Sequence, residues 1–266
     1  MSVVDIEDIG RSLRAVGLGC GLALLGACGT PEASSAGGAR GTELTRTPPE
    51  LVVFVYDRST SISGGQLEIA RRLTNDRIRK LDHGDRIAAH EVLQLSLEEP
   101  PKRWSETVPA REFTEQALAR DSISRARFLQ DAQDYLVVFT DSTSREDIDG
   151  TDILSTMHDV AADLRAAPGR DATMYILSDM LQSNRTINME GLAKMPPSNW
   201  VQREKSDGTL PDLTGLCVVV AGARVDTDMG QRVKKFWEEY FEATGATLLD
   251  RNYSLRPVTL PEHPCD

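Results

Sequence analysis

Residues 51–61 read LVVFVYDRSTS, an unbroken apolar run that ends in a short polar loop. Six consecutive apolar residues, rich in β-branched and aromatic side chains, predict a strand buried on both faces of a parallel sheet. The stretch that follows, 66–81, carries Leu67, Ala70, Ile78 and Leu81 among basic residues, the pattern of a surface helix. Asp82-His83-Gly84-Asp85 is a turn, and residues 86–95 (RIAAHEVLQL) read as a second strand. Pro100-Pro101 breaks the chain, and the stretch to Ala110 reads as an edge hairpin.

Further along, 151–167 places Ile153, Leu154, Met157, Val160, Ala161 and Leu164 on one helical face, stopped by Pro168-Gly169. Residues 173–177 (TMYIL) and 216–221 (LCVVVA) are two more buried strands. Val233, Phe236, Trp237, Tyr240 and Phe241 follow helical spacing over 232–243, and this aromatic stripe reads as core. Gly245 closes that helix before a last short strand at 246–250 (ATLLD). Strand and helix alternate throughout. The expected fold is therefore one α/β domain, a doubly wound, mostly parallel sheet with helices on both faces.

Composition narrows the chemistry. The chain has 266 residues, 30 Lys and Arg against 41 Asp and Glu, and a formal net charge of −11. No basic stripe exists to neutralise phosphates, so a nucleic-acid partner is not expected. The four Cys show no C-x-x-C pair, and the four His are scattered, which points away from zinc or a His-built metal site. Cys217 falls within a buried strand and reads as a small hydrophobe, while a bond from it to Cys265 is left open.

The N-terminus reads as targeting sequence. Arg11 and Arg14 precede an apolar stretch from Val16 to Ala27, too short to span a membrane, with small residues before Cys28. Leu25-Gly26-Ala27-Cys28 resembles the lipobox of bacterial lipoproteins, although Asp5, Glu7 and Asp8 put acid into a segment that is usually basic. The resemblance implies cleavage after residue 27 and a lipid on Cys28. Residues 28–49, rich in Gly, Ser, Ala, Thr and Pro, would form a flexible tether, with the folded domain at 50–266. The expected location is the cell envelope, outside the cytoplasm.

In a doubly wound sheet, ligands bind beyond the carboxyl ends of the strands where strand order reverses. Three segments supply oxygen donors for such a place: Asp57, Ser59 and Ser61 after the first strand, Thr151 at the opening of a helix, and Asp179 after 173–177. Hydroxyls and carboxylates without His or Cys suit Mg²⁺ or Mn²⁺.

D-x-S-x-S after an apolar strand, a Gly150-Thr151 pair opening a later helix and an Asp ending a later strand together resemble the von Willebrand factor type A domain. The turn at 81–87 (LDHGDRI) resembles that family's entry into its second strand. The resemblance extends from about Leu51 to Ser254. It implies a metal-ion-dependent adhesion site in which Ser59, Ser61 and Thr151 ligate through hydroxyls, while Asp57 and Asp179 act directly or through water. It also implies that a protein partner's Asp or Glu carboxylate completes the shell. One departure is the long interval between Ser61 and Thr151, so 100–148 is expected to hold an insertion or an extra helix. Within it, 135–140 (YLVVFT) can be read as a strand, but Phe128, Leu129, Ala132, Leu136 and Phe139 favour a helix.

Enzymatic readings fit less well. A haloacid-dehalogenase-like phosphatase would need a second Asp where Ser59 stands, and neither a G-x-S-x-G elbow nor a phosphate-binding loop occurs. A Mg²⁺-dependent hydrolase and a metal-free scaffold remain the alternatives to a binding domain.

Overall fold

A computed structural model describes residues 48–92, 101–111, 117–141, 150–184, 186–190 and 195–266. The leader expected at 1–27, Cys28 and all but the last two tether residues lie outside it. The apolar run at 51–56 lies within a strand, β1 (Glu50–Asp57), at the centre of a six-stranded sheet. β1 pairs in parallel with β2 (Arg86–Val92) on one side and β4 (Asp171–Leu177) on the other. β5 (Leu216–Ala221) and β6 (Thr247–Ser254) continue the parallel array, and β3 (Arg103–Thr107) adds an antiparallel edge beside β2. The order is β3-β2-β1-β4-β5-β6. The chain thus leaves β1 toward one edge and later resumes at β4 on the opposite side, so the reversal of strand order falls between β1 and β4.

Alternation along β1 divides the core in two. Leu51, Val53 and Val55 join one apolar cluster, with α3 (Ile153–Ala166), α4 (Trp200–Asp207) and α5 (Asp228–Thr244). Val52, Phe54 and Tyr56 join the other, with α1 (Gly64–Ile78) and α2 (Ala117–Thr140). Helices therefore cover both faces, as expected of a doubly wound α/β fold.

Local sequence accounts for the helix positions. Ser63 caps α1 by accepting from the Gln66 amide, and the Gln66 side chain accepts from the Ser63 amide. That reciprocal cap starts the helix right after the D-x-S-x-S loop. Asp152 caps α3 by accepting from the Ser155 amide, and its other carboxylate oxygen accepts from the Ser155 hydroxyl. α5 buries Val233, Phe236, Trp237, Tyr240 and Phe241, so the aromatic stripe is core.

Several expectations need adjustment. β2 is described as far as Val92, and the remainder of its predicted span, 93–95, lies outside the described residues. β6 runs on to Ser254, four residues past the predicted end. Residues 135–140 belong to α2, as the helical spacing predicts: Leu136 and Phe139 are buried while Val137 and Val138 are each 41% exposed, a period that a strand would not give. α4 is an addition to the expected elements: it buries only Val201, with Trp200 packed beside the core, and its remaining six residues are polar. Cys217 is bonded to Cys265, which ties the C-terminus to the start of β5. Among the described residues no helix is long and apolar enough to cross a membrane.

Candidate metal centre

The carboxyl ends of β1 and β4 sit side by side, Tyr56 paired with Leu177, so the loops that follow them meet. Asp57, the last residue of β1, is fully buried. Its Oδ1 accepts from the Ser59 amide at 2.9 Å and its Oδ2 accepts from the Ser178 hydroxyl at 2.6 Å. The Ser59 hydroxyl also hydrogen-bonds Asp57, and lies 2.9 Å from the Ser61 hydroxyl. Ser61 in turn hydrogen-bonds Asp179. Asp57, Ser59, Ser61 and Asp179 thus form one continuous hydrogen-bonded group across the switch point.

Thr151 is brought to the same end of the sheet by a different route. It forms an antiparallel bridge with Ser183, its amide donating to the Ser183 carbonyl at 2.7 Å and its carbonyl accepting from the Ser183 amide at 2.8 Å. Ser183 lies on the loop that leaves Asp179, and Thr151 is buried. Its side chain makes no hydrogen bond to the other four residues. The proposed lipid-bearing Cys28 lies outside the described residues.

The electrostatics are unbalanced in a specific way. Burial pushes the Asp57 carboxyl up to about 6, and the nearby Asp179 charge adds to this, while hydrogen bonds from Ser178 and Ser59 oppose it. Asp179 is also raised by burial, against hydrogen bonds from the Leu181 amide and Ser61. Among the described residues neither carboxylate has an ion-pair partner. The adjacent Arg58 does not serve, since its guanidinium pairs with Glu91 at 2.7 Å and donates to the Asp141 carbonyl at 3.1 Å.

A small hard cation fits this donor set. All the donors are oxygens, the two carboxylates lack a counterion, and the hydroxyls of Ser59 and Ser61 are 2.9 Å apart. That separation matches neighbouring corners of an octahedron with Mg–O bonds of ~2.1 Å, about 3 Å. Among the described residues no group of three or more His, Cys, Asp and Glu side chains is arranged for a metal, so a site here depends on hydroxyls. His90 hydrogen-bonds Asp163 at 2.7 Å and His83 the Pro109 carbonyl, so neither is a base for the serines of this group.

Three supporting residues escaped the sequence reading. The hydroxyl of Ser178 fixes Asp57 and accepts from the Met180 amide at 2.8 Å. Gly222, at φ +117°, lets the end of β5 approach β4; a Cβ there would stand 2.8 Å from the Ser178 carbonyl oxygen. Met180 has φ +66°, an unusual backbone conformation for a side chain of its size.

No protein-family model matches the chain, and no curated protein matches it. Among solved structures, proximal thread matrix protein 1 from the mussel byssus is 10% identical, with a TM-score of 0.36 over 75% of this chain and 49% of that one. The pilus adhesin SpaC from Lactobacillus rhamnosus GG, in an open conformation, is 13% identical, with a TM-score of 0.42 over 73% of this chain and 27% of that one. A von Willebrand factor type A protein from Catenulispora acidiphila is 12% identical, with a TM-score of 0.31 over 74% of this chain and 43% of that one. The match therefore spans less than half of each of these three proteins.

Proposed function

We propose that this chain is a divalent-cation-dependent protein-binding domain, anchored at a bacterial envelope by a lipid on Cys28. In this reading Ser59, Ser61 and Thr151 offer hydroxyls to Mg²⁺ or Mn²⁺, and Asp57 and Asp179 act directly or through water. Hydroxyl ligands are neutral, so they leave part of the ion's charge uncompensated, and a carboxylate from a protein partner takes an open position. The observation that carries the reading is the connected group of Ser59, Ser61, buried Asp57 and half-buried Asp179, without an ion-pair partner among the described residues, at the switch point of the sheet. The Cys217–Cys265 bond agrees with an oxidising compartment outside the cytoplasm.

Isothermal titration with Mg²⁺ and Mn²⁺ tests the site. One binding event is expected, with the heat abolished in Asp57→Ala and Asp179→Asn. Equal heats for wild type and both variants would remove the basis for the reading. Mass spectrometry of the N-terminal peptide tests the anchor: an acylated Cys28 is expected, and an unmodified Cys28 in an uncut chain would rule it out.

A further inference from the structure

A cavity of about 790 Å³ opens directly beside the candidate site. One end is formed by Asp57, Ser61 and Asp179, so cavity and site share a wall. Its body is apolar, built from Leu67, Ala70 and Leu73 of α1 against Leu177 and Ala221 at the ends of β4 and β5. The remaining side comes from the segment after β6, where Leu255 is 36% exposed.

That segment is held by specific contacts. Residues 255–266 form no helix; they turn back with Leu260 buried against the α1–α2 side of the sheet. The Tyr175 hydroxyl donates to the Pro261 carbonyl, and Cys265 is bonded to Cys217 at the start of β5. Apolar side chains of α1 face the opening beside this segment. The lining also includes two arginines, Arg224 and Arg256, both exposed. Arg224 meets Asp226 at 3.6 Å, while Arg256 has no ion pair among the described residues.

We propose that this cavity is the specificity pocket of the site and seats a bulky apolar side chain adjacent to the ligating carboxylate. The ligand class is an acidic peptide segment in which a Leu-sized or aromatic residue is flanked by Asp or Glu. The inference rests on the cation-dependent reading above for one carboxylate; the cavity and its arginines supply the rest. Besides the ion, Arg256, with no ion pair among the described residues, offers a place for a second negative charge, which a peptide with two acids provides and a single-headed fatty acid does not. The volume lies within the usual range for ligand sites, about 300–1,000 Å³, and exceeds what one side chain needs.

Chemical-shift titration of the ¹⁵N-labelled chain in saturating Mg²⁺ tests this with capped Asp-Leu-Asp and Asp-Gly-Asp peptides and with octanoate. The Leu peptide should bind at least about tenfold more tightly than the Gly peptide, the effect of burying one leucine side chain. The preference should vanish in Ala70→Phe, which fills the cavity, and fall in Leu255→Ser at the exposed wall. Arg256→Glu should weaken both peptides while Mg²⁺ affinity holds. Equal affinities for the two peptides in a protein that binds Mg²⁺ would overturn the proposal and leave the metal site standing. A Leu preference that persists without Mg²⁺ binding would uphold the pocket and remove the metal reading. Octanoate binding more tightly than the Leu peptide would overturn the assignment to a peptide.

Discussion

The indole Nε1 of Trp237 donates to the carbonyl of Met180 at 2.9 Å, both residues being fully buried. Met180 is the one non-glycine residue with positive φ among the described residues, and it follows Asp179 directly. A strained residue beside a functional loop persists only where its surroundings hold it. Here α5 supplies that hold, so the aromatic stripe is both core and a brace for the candidate site. Trp237→Phe keeps most of the packing but orphans a buried carbonyl, a loss of about 1–3 kcal/mol. We expect a lower urea midpoint and weaker Mg²⁺ binding; unchanged values for both would remove the brace from the account.

Gly222 is needed for a second contact near the same place. The Ser178 amide donates to the Ala221 carbonyl at 3.0 Å, which draws the ends of β4 and β5 together. Gly222→Ala combines a close contact with a positive φ, so it should cost more than about 1 kcal/mol. Because the displaced atom belongs to Ser178, whose hydroxyl fixes Asp57, Mg²⁺ affinity should fall too. Urea unfolding and calorimetry on the same variant would read both effects.

The metal-free protein should be more stable in mild acid than the usual carboxylate trend suggests. Asp57 ionises at about 6 in the folded chain, against an ordinary value of 3.8. A raised carboxyl favours the folded state below the unfolded value, and that contribution is lost as pH rises through the folded value. Its size is on the order of 2–3 kcal/mol, lost between pH 4 and 6. Asp57→Asn should flatten that part of the stability profile in chelated samples. Coincident profiles for wild type and variant would contradict it.

Cys217 and Cys265 close a loop with a sequence separation of 48. Chain-entropy arguments assign such a bridge about 4 kcal/mol, acting mainly on the unfolded state. Cys265→Ala should therefore lower stability by up to this amount. Since Leu255, Arg256 and Pro257 of the segment tethered by this bond line the cavity, the variant should lose part of its peptide affinity while keeping its Mg²⁺ affinity. Thermal unfolding with and without reductant would show the first effect, with the variant insensitive to reductant.

What was legible in the sequence followed from local rules. β1, β4 and β5 are buried on both faces and so appear as unbroken apolar runs, while α5 shows its buried stripe at helical spacing. The five oxygen-bearing residues stand out because each adjoins a strand end or a helix start. Ser178, Gly222 and the Met180–Trp237 pair were not legible, since their roles depend on neighbours far away in the chain. The disulfide was open for the same reason: it requires the return path of 255–266 across the sheet. Short runs such as YLVVFT carry too few residues for their period to decide between strand and helix, and α2 settles there because its Phe128, Leu129, Ala132, Leu136 and Phe139 share one buried face.

In the proposed site, hydroxyls and carboxylates from three separate segments share one divalent ion. Anomalous scattering from crystals grown with Mn²⁺ addresses it most directly. One strong peak is expected, with the hydroxyl oxygens of Ser59, Ser61 and Thr151 at ~2.1–2.2 Å and Asp57 and Asp179 bound directly or through water. A crystal in which Mn²⁺ is absent from the group, or bound elsewhere while Asp57 and Asp179 stay metal-free, would contradict it.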